Sequence, residues 1–419
     1  MTTTKKPKKQ KLRNAEYYDL QATFDKLYSE SKNGKTFTKI MPIILSENNI
    51  RLAYRNLKRN SGSRTAGTDH KTIKDLETWK EPDLVRYVRK RLEWYIPQPV
   101  RRVEIAKDNG KTRPLGIPTI QDRLIQQCFL QVLEPICEAK FHDRSFGFRP
   151  NRSQENAVAV AYSLMQIQHL HFVVDLDIKG FFDNVSHGKL LRQMWALGIR
   201  DKTVLSILSA MLKAEVAGIG FPEKGTPQGG IISPLLSNIV LNELDWWISS
   251  QWETMPMRKN YVRTRKDNGV AEKTYAYKVL REKSRLKECY GLRYADDFRI
   301  FCRRRQDAEK LFIATQKWLK ERLGLDISPE KSQIVNLKRK YSEFLGFKMM
   351  VKPNGKSGSK TRYTVVSHVS EKRKKKIKKR ASELVAKIKF PADKFEEHKF
   401  IMDYNSYVMG IHNYYSMAT

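Results

Sequence analysis

Residues 292–300 read Leu-Arg-Tyr-Ala-Asp-Asp-Phe-Arg-Ile, so two adjacent aspartates lie between two apolar runs. Tyrosine, phenylalanine and isoleucine favour strands, and a tight turn between two strands would hold Asp296 and Asp297 at the tip of a hairpin. Removing two carboxylates from water requires a compensating partner, for which a divalent metal is the natural candidate. Because aspartate is also common in solvent-exposed turns, this pair alone leaves both interpretations open.

A second acidic segment precedes this stretch, where residues 171–177 read His-Phe-Val-Val-Asp-Leu-Asp. The apolar run predicts a buried strand, and side chains two residues apart on a strand point the same way. Asp175 and Asp177 therefore share one face near the end of this strand. Carboxylates are rarely core filler, because burying them without a partner is costly. The sequence thus predicts a site that draws carboxylates from two strands.

The charge balance of the chain indicates a polyanionic partner. Its 419 residues include 80 lysines and arginines against 45 aspartates and glutamates, a formal net charge of +35. Solubility alone needs a net charge of only about 2 to 8 for a small domain, and nucleic acid is the simplest polyanion. An anionic membrane surface is the alternative, but no apolar run reaches the roughly 18 residues of a spanning helix. The length allows two or three domains with a hydrophobic core.

The N-terminus and the cysteines bear on the cellular compartment. Residues 1–13 are polar and basic, without the apolar core of a secretory signal, so we expect a cytoplasmic protein. The four cysteines show no CxxC spacing, which predicts buried reduced thiols rather than a zinc site. His142 and His187 have no ligand-spaced partner and are predicted to be structural.

Two segments have the composition expected next to phosphates. Residues 97–118 predict a β-hairpin with a turn at residues 108–111. Its cations suit a triphosphate or a nucleic-acid backbone, although ordinary solvated charges are the alternative. These cations are Arg101, Lys107, Lys111 and Arg113. Residues 225–234 (G-T-P-Q-G-G-I-I-S-P) precede a long apolar helix, whose N-terminus would favour anions, but no Walker-type Gly-Lys-Ser/Thr follows.

Further segments are basic or rich in arginine and aromatic residues. Residues 257–288 hold 11 lysines and arginines against 4 acids, hence +7, which predicts a surface insertion. Residues 362–389 hold 11 against 2, hence +9, and eight of residues 371–380 are basic. A helix without an apolar stripe is not held by packing alone, so we expect it to dock along phosphates; a disordered linker is the alternative. Residues 141–153 suit base stacking and backbone contact, or local packing.

The segments that follow the aspartate pair complete the prediction of local structure. Residues 324–332 are interpreted as a strand and a turn, and residues 344–347 (F-L-G-F) as another strand. Residues 352–360 read as a linker rich in glycine, serine and lysine. Helices are predicted within residues 15–58, 67–95 and 122–140, and near the C-terminus.

These parts together fit one type of chemistry. Carboxylates from two strands suit a two-metal site for in-line phosphoryl transfer, because both ions must be bridged. A basic hairpin would hold a triphosphate and neutralise charge as pyrophosphate leaves. No Ser/His/Asp or Cys/His nucleophile set is evident.

The sequence also resembles the group II intron reverse transcriptases, the intron-encoded maturase family. The motifs that carry this resemblance occur in the family's order across roughly residues 47 to 415. They are K-D-N-G-K-T-R-P-L-G-I-P (107–118), F-G-F-R-P (146–150), D-I-K-G-F-F-D (177–183), G-T-P-Q-G-G-I-I-S-P (225–234), Y-A-D-D (294–297) and F-L-G-F (344–347).

The resemblance implies a fold and a metal site. The fold is α+β, a right-hand polymerase of fingers, palm and helical thumb with an antiparallel palm sheet. We expect a basic extension at residues 1–46, fingers at 47–170, a palm at 171–352 and an incomplete thumb at 353–419. Matching motif to motif assigns two Mg²⁺ ions to Asp177 and Asp296, with Asp297 beside them.

The resemblance further implies a site for dNTP substrates. Phe182 follows Asp177 by five residues, as the family's steric gate follows its catalytic aspartate, and would clash with a ribose 2′-OH. Lys107 and Arg113 would grip the triphosphate, and Gln228 would line the nucleotide pocket. Lys331 is a candidate general acid for the leaving pyrophosphate.

The implied partners are the group II intron RNA, an RNA template with a DNA primer, and target DNA, without a membrane; the oligomeric state stays open. Intron RNA would be bound during splicing by residues 5–13 and by the thumb. The RNA- and template-binding candidates are Arg149, Lys372, Arg373, Lys374, Lys375 and Lys376. The sequence ends soon after the thumb motif G-x-x-N-Y-Y, before the family's DNA-binding region and HNH endonuclease. It is therefore either a truncated sequence or a shortened relative, and both alternatives stay open.

Three other classes of function remain as alternatives, one of which is a general basic RNA-binding protein. Retron, diversity-generating and CRISPR-associated reverse transcriptases share the palm motifs. A splicing factor that binds RNA with an inactive palm is the second, although all three aspartates are present.

Overall fold

The computed structural model describes residues 13–106, 112–265, 269 and 271–418, with all side chains except those of Arg113, Ser357 and Lys360. The chain forms two compact units, each assembled from separate segments. The first contains residues 1–141, 180–242 and 323–325, and the second contains residues 142–179, 243–322 and 326–419. Within the described part, no helix is both long and apolar enough to cross a membrane.

Helices contribute most of the secondary structure. They are α1 (Asn14–Tyr17), α2 (Gln21–Lys32), α3 (Met41–Ile44), α4 (Glu47–Arg59), α5 (Ile73–Glu77), α6 (Glu81–Glu93), α7 (Ile120–Glu138), α8 (Gln154–Tyr162), α9 (Phe181–Asn184), α10 (His187–Leu197), α11 (Lys202–Leu212), α12 (Ser233–Ser250), α13 (Thr274–Lys283), α14 (Arg305–Trp318), α15 (Glu371–Lys389) and α16 (Lys394–Tyr414). The predicted helical segments are therefore confirmed. Short π-helical turns follow α8 and α14.

The strands form small antiparallel sheets, as predicted for the fold class. They are β1 (Arg101–Ala106), β2 (Thr112–Ile117), β3 (Phe172–Asp177), β4 (Arg263–Thr264), β5 (Ala271–Glu272), β6 (Cys289–Tyr294), β7 (Asp297–Cys302), β8 (Gln333–Asn336), β9 (Ser342–Phe344), β10 (Phe347–Ser357) and β11 (Lys360–Val369). The strand orders are β6-β7-β3-β8, β11-β10-β9, β1-β2 and β4-β5.

The first unit is built on the apolar helix α7, which packs against α2 and α4. Thr119 caps its first turn by accepting from the backbone N–H of Asp122. The predicted hairpin is present as β1 and β2, while its turn, including Lys107 and Lys111, lies outside the described residues. Ser186 caps α10, since its side chain accepts from the backbone N–H of Lys189.

The second unit is built on the four-stranded sheet. β3 lies between β7 and β8, and α14 packs against it. Val173, Val174 and Leu176 are fully buried, which explains the continuous apolar run in the sequence. The four cysteines of the chain are free and buried, as predicted.

Three predictions for the segment after α14 are wrong in detail. Residues 324–332 contain a single β-bridge, between Ile327 and Ile178, and then a turn, and the strand is β8, which begins at Gln333. Residues 344–347 are not a continuous strand, because Leu345 and Gly346, at φ +52° and +84°, form a tight turn between β9 and β10. Residues 352–360 are no linker, since most of them belong to the hairpin of β10 and β11.

The basic insertion at residues 257–288 forms the ribbon of β4 and β5 and the helix α13. One side of α13 is buried through Ala276 and Leu280. Arg281, on the same helix, pairs with Glu288 through a Nη2–Oε1 distance of 2.6 Å. The insertion therefore has a packed side within the second unit as well as a basic exposed one.

Candidate catalytic site

The aspartate pair lies in a hairpin between β6 and β7. Tyr294 pairs with Asp297, which leaves Ala295 and Asp296 as a two-residue turn. Ala295 has φ +58°, a conformation that normally favours glycine at this position of a hairpin turn. Such a turn persists only where its surroundings hold it in place.

Arg293 supplies one of these supports. Its side chain is 1% exposed, and its Nη1 donates to the carbonyl oxygen of Ala295 at 2.8 Å. The same guanidinium forms a bidentate ion pair with Asp245, with Nε–Oδ1 and Nη2–Oδ2 distances of 2.9 and 2.7 Å. A buried guanidinium paired in this way has a defined position, so it fixes the turn.

The segment F-G-F-R-P supplies a second support. The backbone N–H of Phe146 donates to the carbonyl of Arg293 at 2.9 Å, and the N–H of Arg293 donates to the carbonyl of Arg144. Gly147 therefore lies directly against the turn, where a Cβ atom would be 2.2 Å from the nitrogen of Ala295. The backbone of this segment thus supports the aspartate turn.

The second unit brings carboxylates from two strands together, as the sequence predicts. Asp177 on β3 is the register partner of Asp297 on β7, and Asp175 is the partner of Arg299. Side chains two residues apart share a face of a sheet, so these four side chains lie on one face. Asp296, in the turn directly before Asp297, is exposed.

Arg299 connects two of the carboxylates. Its Nη1 lies 2.7 Å from Oδ1 of Asp175 and 2.5 Å from Oδ1 of Asp297. Burial raises the pKa of Asp175 to about 6, against the opposing effect of Arg299. Burial likewise raises the pKa of Asp297. The sheet face therefore holds negative charge that is only partly compensated.

Lys331 approaches the third carboxylate. Its Nζ lies 3.1 Å from Oδ2 of Asp177, and both side chains are substantially exposed. The backbone N–H of Ser328 donates to the carbonyl of Asp177 at 2.7 Å, which anchors the turn that carries the lysine. The predicted general acid thus lies beside a predicted metal ligand, although Asp177 is more exposed than its apolar strand suggested.

The donor set fits Mg²⁺. Among the described residues, no three ligand-type side chains converge on one position that could hold an ion. Mg²⁺, however, usually takes one or two carboxylates and completes its shell with water and substrate phosphates. Asp177 and Asp297 provide oxygen donors on adjacent strands, and the ammonium of Lys331 shows that a cation is accepted beside Asp177.

The described residues that were predicted to contact the nucleotide, Phe182 and Gln228, lie in the first unit. Phe182 is buried in α9, and its carbonyl accepts from the N–H of Thr226 at 2.7 Å. The carbonyl of Gln228 accepts from the N–H of Gly116 at 2.8 Å, which joins the glycine-rich loop to β2. The loop and β2 line a cavity of about 190 Å³ that includes Gln228 and Asp183. Lys107 and the side chain of Arg113 lie outside the described residues.

Arg149 differs from the prediction that it contacts RNA. It is buried, and its Nη1 donates to the carbonyls of His142 and Ser145 at 2.7 Å each. These hydrogen bonds hold the loop that supports the aspartate turn. The arginine therefore has a structural role in this loop, whereas the sequence indicated a contact with the RNA template. His142 is structural as expected, since its Nδ1 accepts from the N–H of Arg144.

The basic residues of α15 are exposed, as an RNA-binding role requires. Lys374 forms an ion pair with Glu371, which also pairs with Lys348 on β10. The second half of α15 packs against α16 through the buried Leu384. The five predicted residues, all on the exposed first turns, are Lys372, Arg373, Lys374, Lys375 and Lys376.

Sequence reasoning missed three residues of the site. Arg293, Arg299 and Asp245 are buried, charged and hydrogen-bonded. Each of them is a charged residue within an otherwise apolar run, and charged residues are rarely buried without a partner. This pattern could have indicated a buried ion pair. Their long-range partners could not be identified, because Arg293 on β6 pairs with Asp245 on α12, and Arg299 on β7 pairs with Asp175 on β3.

Comparison with known proteins identifies the class. The family profile "Reverse transcriptase (RNA-dependent DNA polymerase)" matches residues 105–349, a range that includes β3, β6, β7 and all three aspartates. The protein is accordingly a reverse transcriptase, an RNA-directed DNA polymerase.

The relatives narrow the class to a family. The group II intron-encoded protein LtrA of Lactococcus lactis subsp. cremoris is 30% identical over 444 aligned residues, which cover 93% of this chain and 72% of that protein. Protein YkfC of Escherichia coli is 34% identical over 265 aligned residues, covering 62% of this chain and 68% of that protein. The chain belongs to the family of group II intron-encoded reverse transcriptases.

Proposed function

We propose that this reverse transcriptase copies the RNA of a group II intron into cDNA and binds that RNA to assist its splicing. The observation that carries the polymerase half is the pairing of Asp177 with Asp297 across β3 and β7, next to Asp296 in the turn. Carboxylates on adjacent strands are what a two-metal polymerase requires.

The proposed architecture is a right hand. Residues 47–170 would form the fingers, residues 171–352 the palm with its insertion at 257–288, and residues 353–419 part of the thumb, after a basic extension at residues 1–46. The antiparallel sheet of β6, β7, β3 and β8 supports the assignment of the palm.

The aspartates Asp177, Asp296 and Asp297 would hold two Mg²⁺ ions. When bound, Mg²⁺ would neutralise phosphate charge and lower the pKa of the primer's 3′-hydroxyl. Lys331, already beside Asp177, would donate a proton to the departing pyrophosphate, which requires a positioned acid. The attack of the 3′ oxygen on the α-phosphorus and the loss of pyrophosphate then occur in line.

The family resemblance supports further contacts to the dNTP. Lys107 and Arg113 would pair with the triphosphate. Phe182 would exclude a ribose 2′-OH, and Gln228 would line the pocket for the nucleotide. The cavity between the glycine-rich loop and β2 supports this assignment.

The maturase half of the proposal rests on charge. The exposed first turns of α15 and residues 5–13 would bind phosphates of the intron RNA, and the net charge of +35 supports such a partner. The first turns of α15 are also the region proposed to contact an RNA template with its DNA primer. Target DNA is a further proposed partner of the same charge.

The test is primer extension on an RNA template with Mg²⁺ and dNTPs, comparing the wild type with Asp296→Asn. Glu309→Gln is the matched control, because it removes one negative charge from an exposed ion pair on α14. We expect DNA synthesis by the wild type and the control, and its loss in Asp296→Asn. Synthesis that survives in Asp296→Asn would refute the assignment. A wild type that binds intron RNA tightly without synthesis would instead indicate a splicing factor.

A further inference from the structure

Arg299 is a buried cation at the centre of the carboxylate face. It is 6% exposed, and its neighbours in β7, Phe298 and Ile300, are part of the core. A charged side chain in such a position is costly unless it is paired and hydrogen-bonded. The identity of its partners therefore indicates what the arginine does.

The partners of Arg299 belong to three elements. Nη1 bonds the carboxylates of Asp175 on β3 and Asp297 on β7, at 2.7 and 2.5 Å. Nη2 donates to the carbonyl of Glu343 on β9 at 2.6 Å, and the guanidinium lies 5.3 Å from the ring centroid of Phe344. The planar fork of arginine can satisfy several such partners at fixed angles, which the ammonium of lysine cannot.

One of these contacts bears directly on the site. The ion pair uses Oδ1 of Asp297, so it restricts rotation of the carboxylate whose strand partner is Asp177. The guanidinium also donates to the carbonyl of Glu343 on β9, near the turn at residues 345–346. It thereby links the carboxylate of Asp297 to β9. A metal ligand needs such a fixed orientation, because first-shell ligands are held by the groups that bond them.

We propose that Arg299 is a positioning residue of the polymerase site, which orients the carboxylate of Asp297 beside Asp177 through its bridge to Asp175 and the carbonyl of Glu343. The role in polymerisation rests on the proposed function. Arg299 would act through Asp297, to whose carboxylate its guanidinium is bonded. The alternative is a structural ion pair that only stabilises the second unit.

The neutral double variant Asp175→Asn/Arg299→Gln separates the two roles. It removes one positive and one negative charge, so the net charge of the face is unchanged. Replacing both members of the buried Arg299–Asp175 pair is less destabilising than removing the arginine alone, because Asp175 is then not left as an unpaired buried charge. The carboxylate of Asp297 still loses its partner, but it is 39% exposed, so water can solvate it. A structural role therefore predicts nearly normal behaviour in the double variant, whereas a positioning role predicts a loss that persists.

The measurement combines three readouts on the full chain. They are the melting temperature, kcat and KM for a single dNTP addition, and Mn²⁺ affinity without nucleic acid, from the electron paramagnetic resonance of free Mn²⁺. Only the Mn²⁺ that is lost in Asp177→Asn is counted as bound at the site. For the double variant we expect at least a tenfold lower kcat, KM within threefold, and Mn²⁺ affinity weakened at least fivefold.

Two further variants keep the proposal testable. Arg303→Gln is the matched control, because Arg303 forms another partly buried ion pair, with Glu288, beyond the end of β7; it should lower the melting temperature and leave kcat unchanged. If the double variant does not fold, Arg299→Lys preserves the charge without the fork and should still lower kcat about tenfold.

The proposal is overturned if the double variant or Arg299→Lys has wild-type kcat and Mn²⁺ affinity. A wild type that makes no DNA would refute the proposed function instead, while the Mn²⁺ measurement would still test the orientation of Asp297. The two failures are therefore distinguishable.

Discussion

Gly147 and Ala295 are in backbone contact, and a Cβ atom on Gly147 would lie 2.2 Å from the nitrogen and 2.9 Å from the Cα atom of Ala295. Heavy atoms cannot approach so closely, so any other residue at position 147 must displace the backbone. Since Ala295 is the first residue of the two-residue turn that carries Asp296, this displacement would move the predicted metal ligand.

The variant Gly147→Ala should therefore lose activity out of proportion to stability. Overpacking costs about 1 to 3 kcal/mol, whereas a 1 Å shift of catalytic groups can reduce a rate about a hundredfold. We expect at least a tenfold loss in single-nucleotide addition, measured beside the melting temperature. Gly188→Ala on α10 is the control, because a Cβ atom there meets open space, and it should be neutral or slightly stabilising. Wild-type activity in Gly147→Ala would contradict the proposed role of this contact.

The parts of the site that could be predicted are those with a local signal. The apolar runs around β3 and β7 predict buried strands, and the period of two places Asp175 and Asp177 on one face, as the structure confirms. The pair of aspartates between two such runs predicts a hairpin with both aspartates at its tip. The hairpin is confirmed, but its turn is Ala295–Asp296, and Asp297 is the first residue of β7. Each of these conclusions needs only neighbouring residues, because strand periodicity and turn length are local properties.

The parts that could not be predicted depend on non-local partners. Arg149 looks like an RNA-binding arginine until its carbonyl partners are known, since composition does not distinguish a buried guanidinium from an exposed one. Residues 352–360 look like a linker because glycine and lysine are depleted in strands, yet β11 supplies the pairing that makes them a hairpin. Leu345 gives no local sign of its positive φ, which is supported by a hydrogen bond from the Tyr414 hydroxyl to its carbonyl.

Lys331 offers a test of proton donation at the site. Its Nζ lies 3.1 Å from Asp177 Oδ2, so Lys331→Met removes both a proton donor and a charge partner. We expect kcat for nucleotide addition to fall about a hundredfold, near the lower end of general acid catalysis, with little change in KM. Lys331→Arg keeps the charge but is a poor acid, so it should lose nearly as much activity.

The matched control for this prediction is Lys320→Met. Lys320 also pairs with an exposed aspartate, Asp326, at 2.8 Å. Exposed pairs contribute about 0 to 1 kcal/mol, so the control should be near wild type in activity and stability. Full activity in Lys331→Arg would indicate that position 331 needs only a positive charge, and full activity in Lys331→Met would remove it from the mechanism.

Glu134 on α7 should make stability depend on pH. Burial, with a smaller effect of Glu138, raises the pKa of Glu134 to about 7, against about 4.3 in an unfolded chain. The folded state therefore binds the proton more tightly, and the resulting stabilisation, complete below pH 4.3, is lost as the pH rises to about 7. Glu134→Gln, which is always neutral, should be about 1 to 3 kcal/mol more stable than the wild type at pH 8, and much closer to it at pH 4.

Thermal unfolding of the wild type and Glu134→Gln at these two pH values measures this difference. Comparing variants at each pH cancels the titration of all other groups. Glu309→Gln, at an exposed pair, should show the same small difference from the wild type at both values. A difference for Glu134→Gln that does not change with pH would show that Glu134 has an ordinary pKa.

The first turns of α15 should carry part of the salt dependence of RNA binding. Lys375 and Lys376 are exposed on this helix, and each lysine that contacts a phosphate releases a counterion. Replacing both with glutamine should weaken intron RNA binding and reduce the slope of log K against log salt by about 0.7 to 0.9 per lost contact. The control is the double variant Lys310→Gln/Lys317→Gln on α14, which removes the same two positive charges from another helix. A difference between the two variants therefore reports a direct contact between α15 and the RNA. If both double variants lose the same RNA affinity, binding depends on the net charge of the protein alone. If the salt dependence of the α15 variant is unchanged, α15 is not part of the RNA interface.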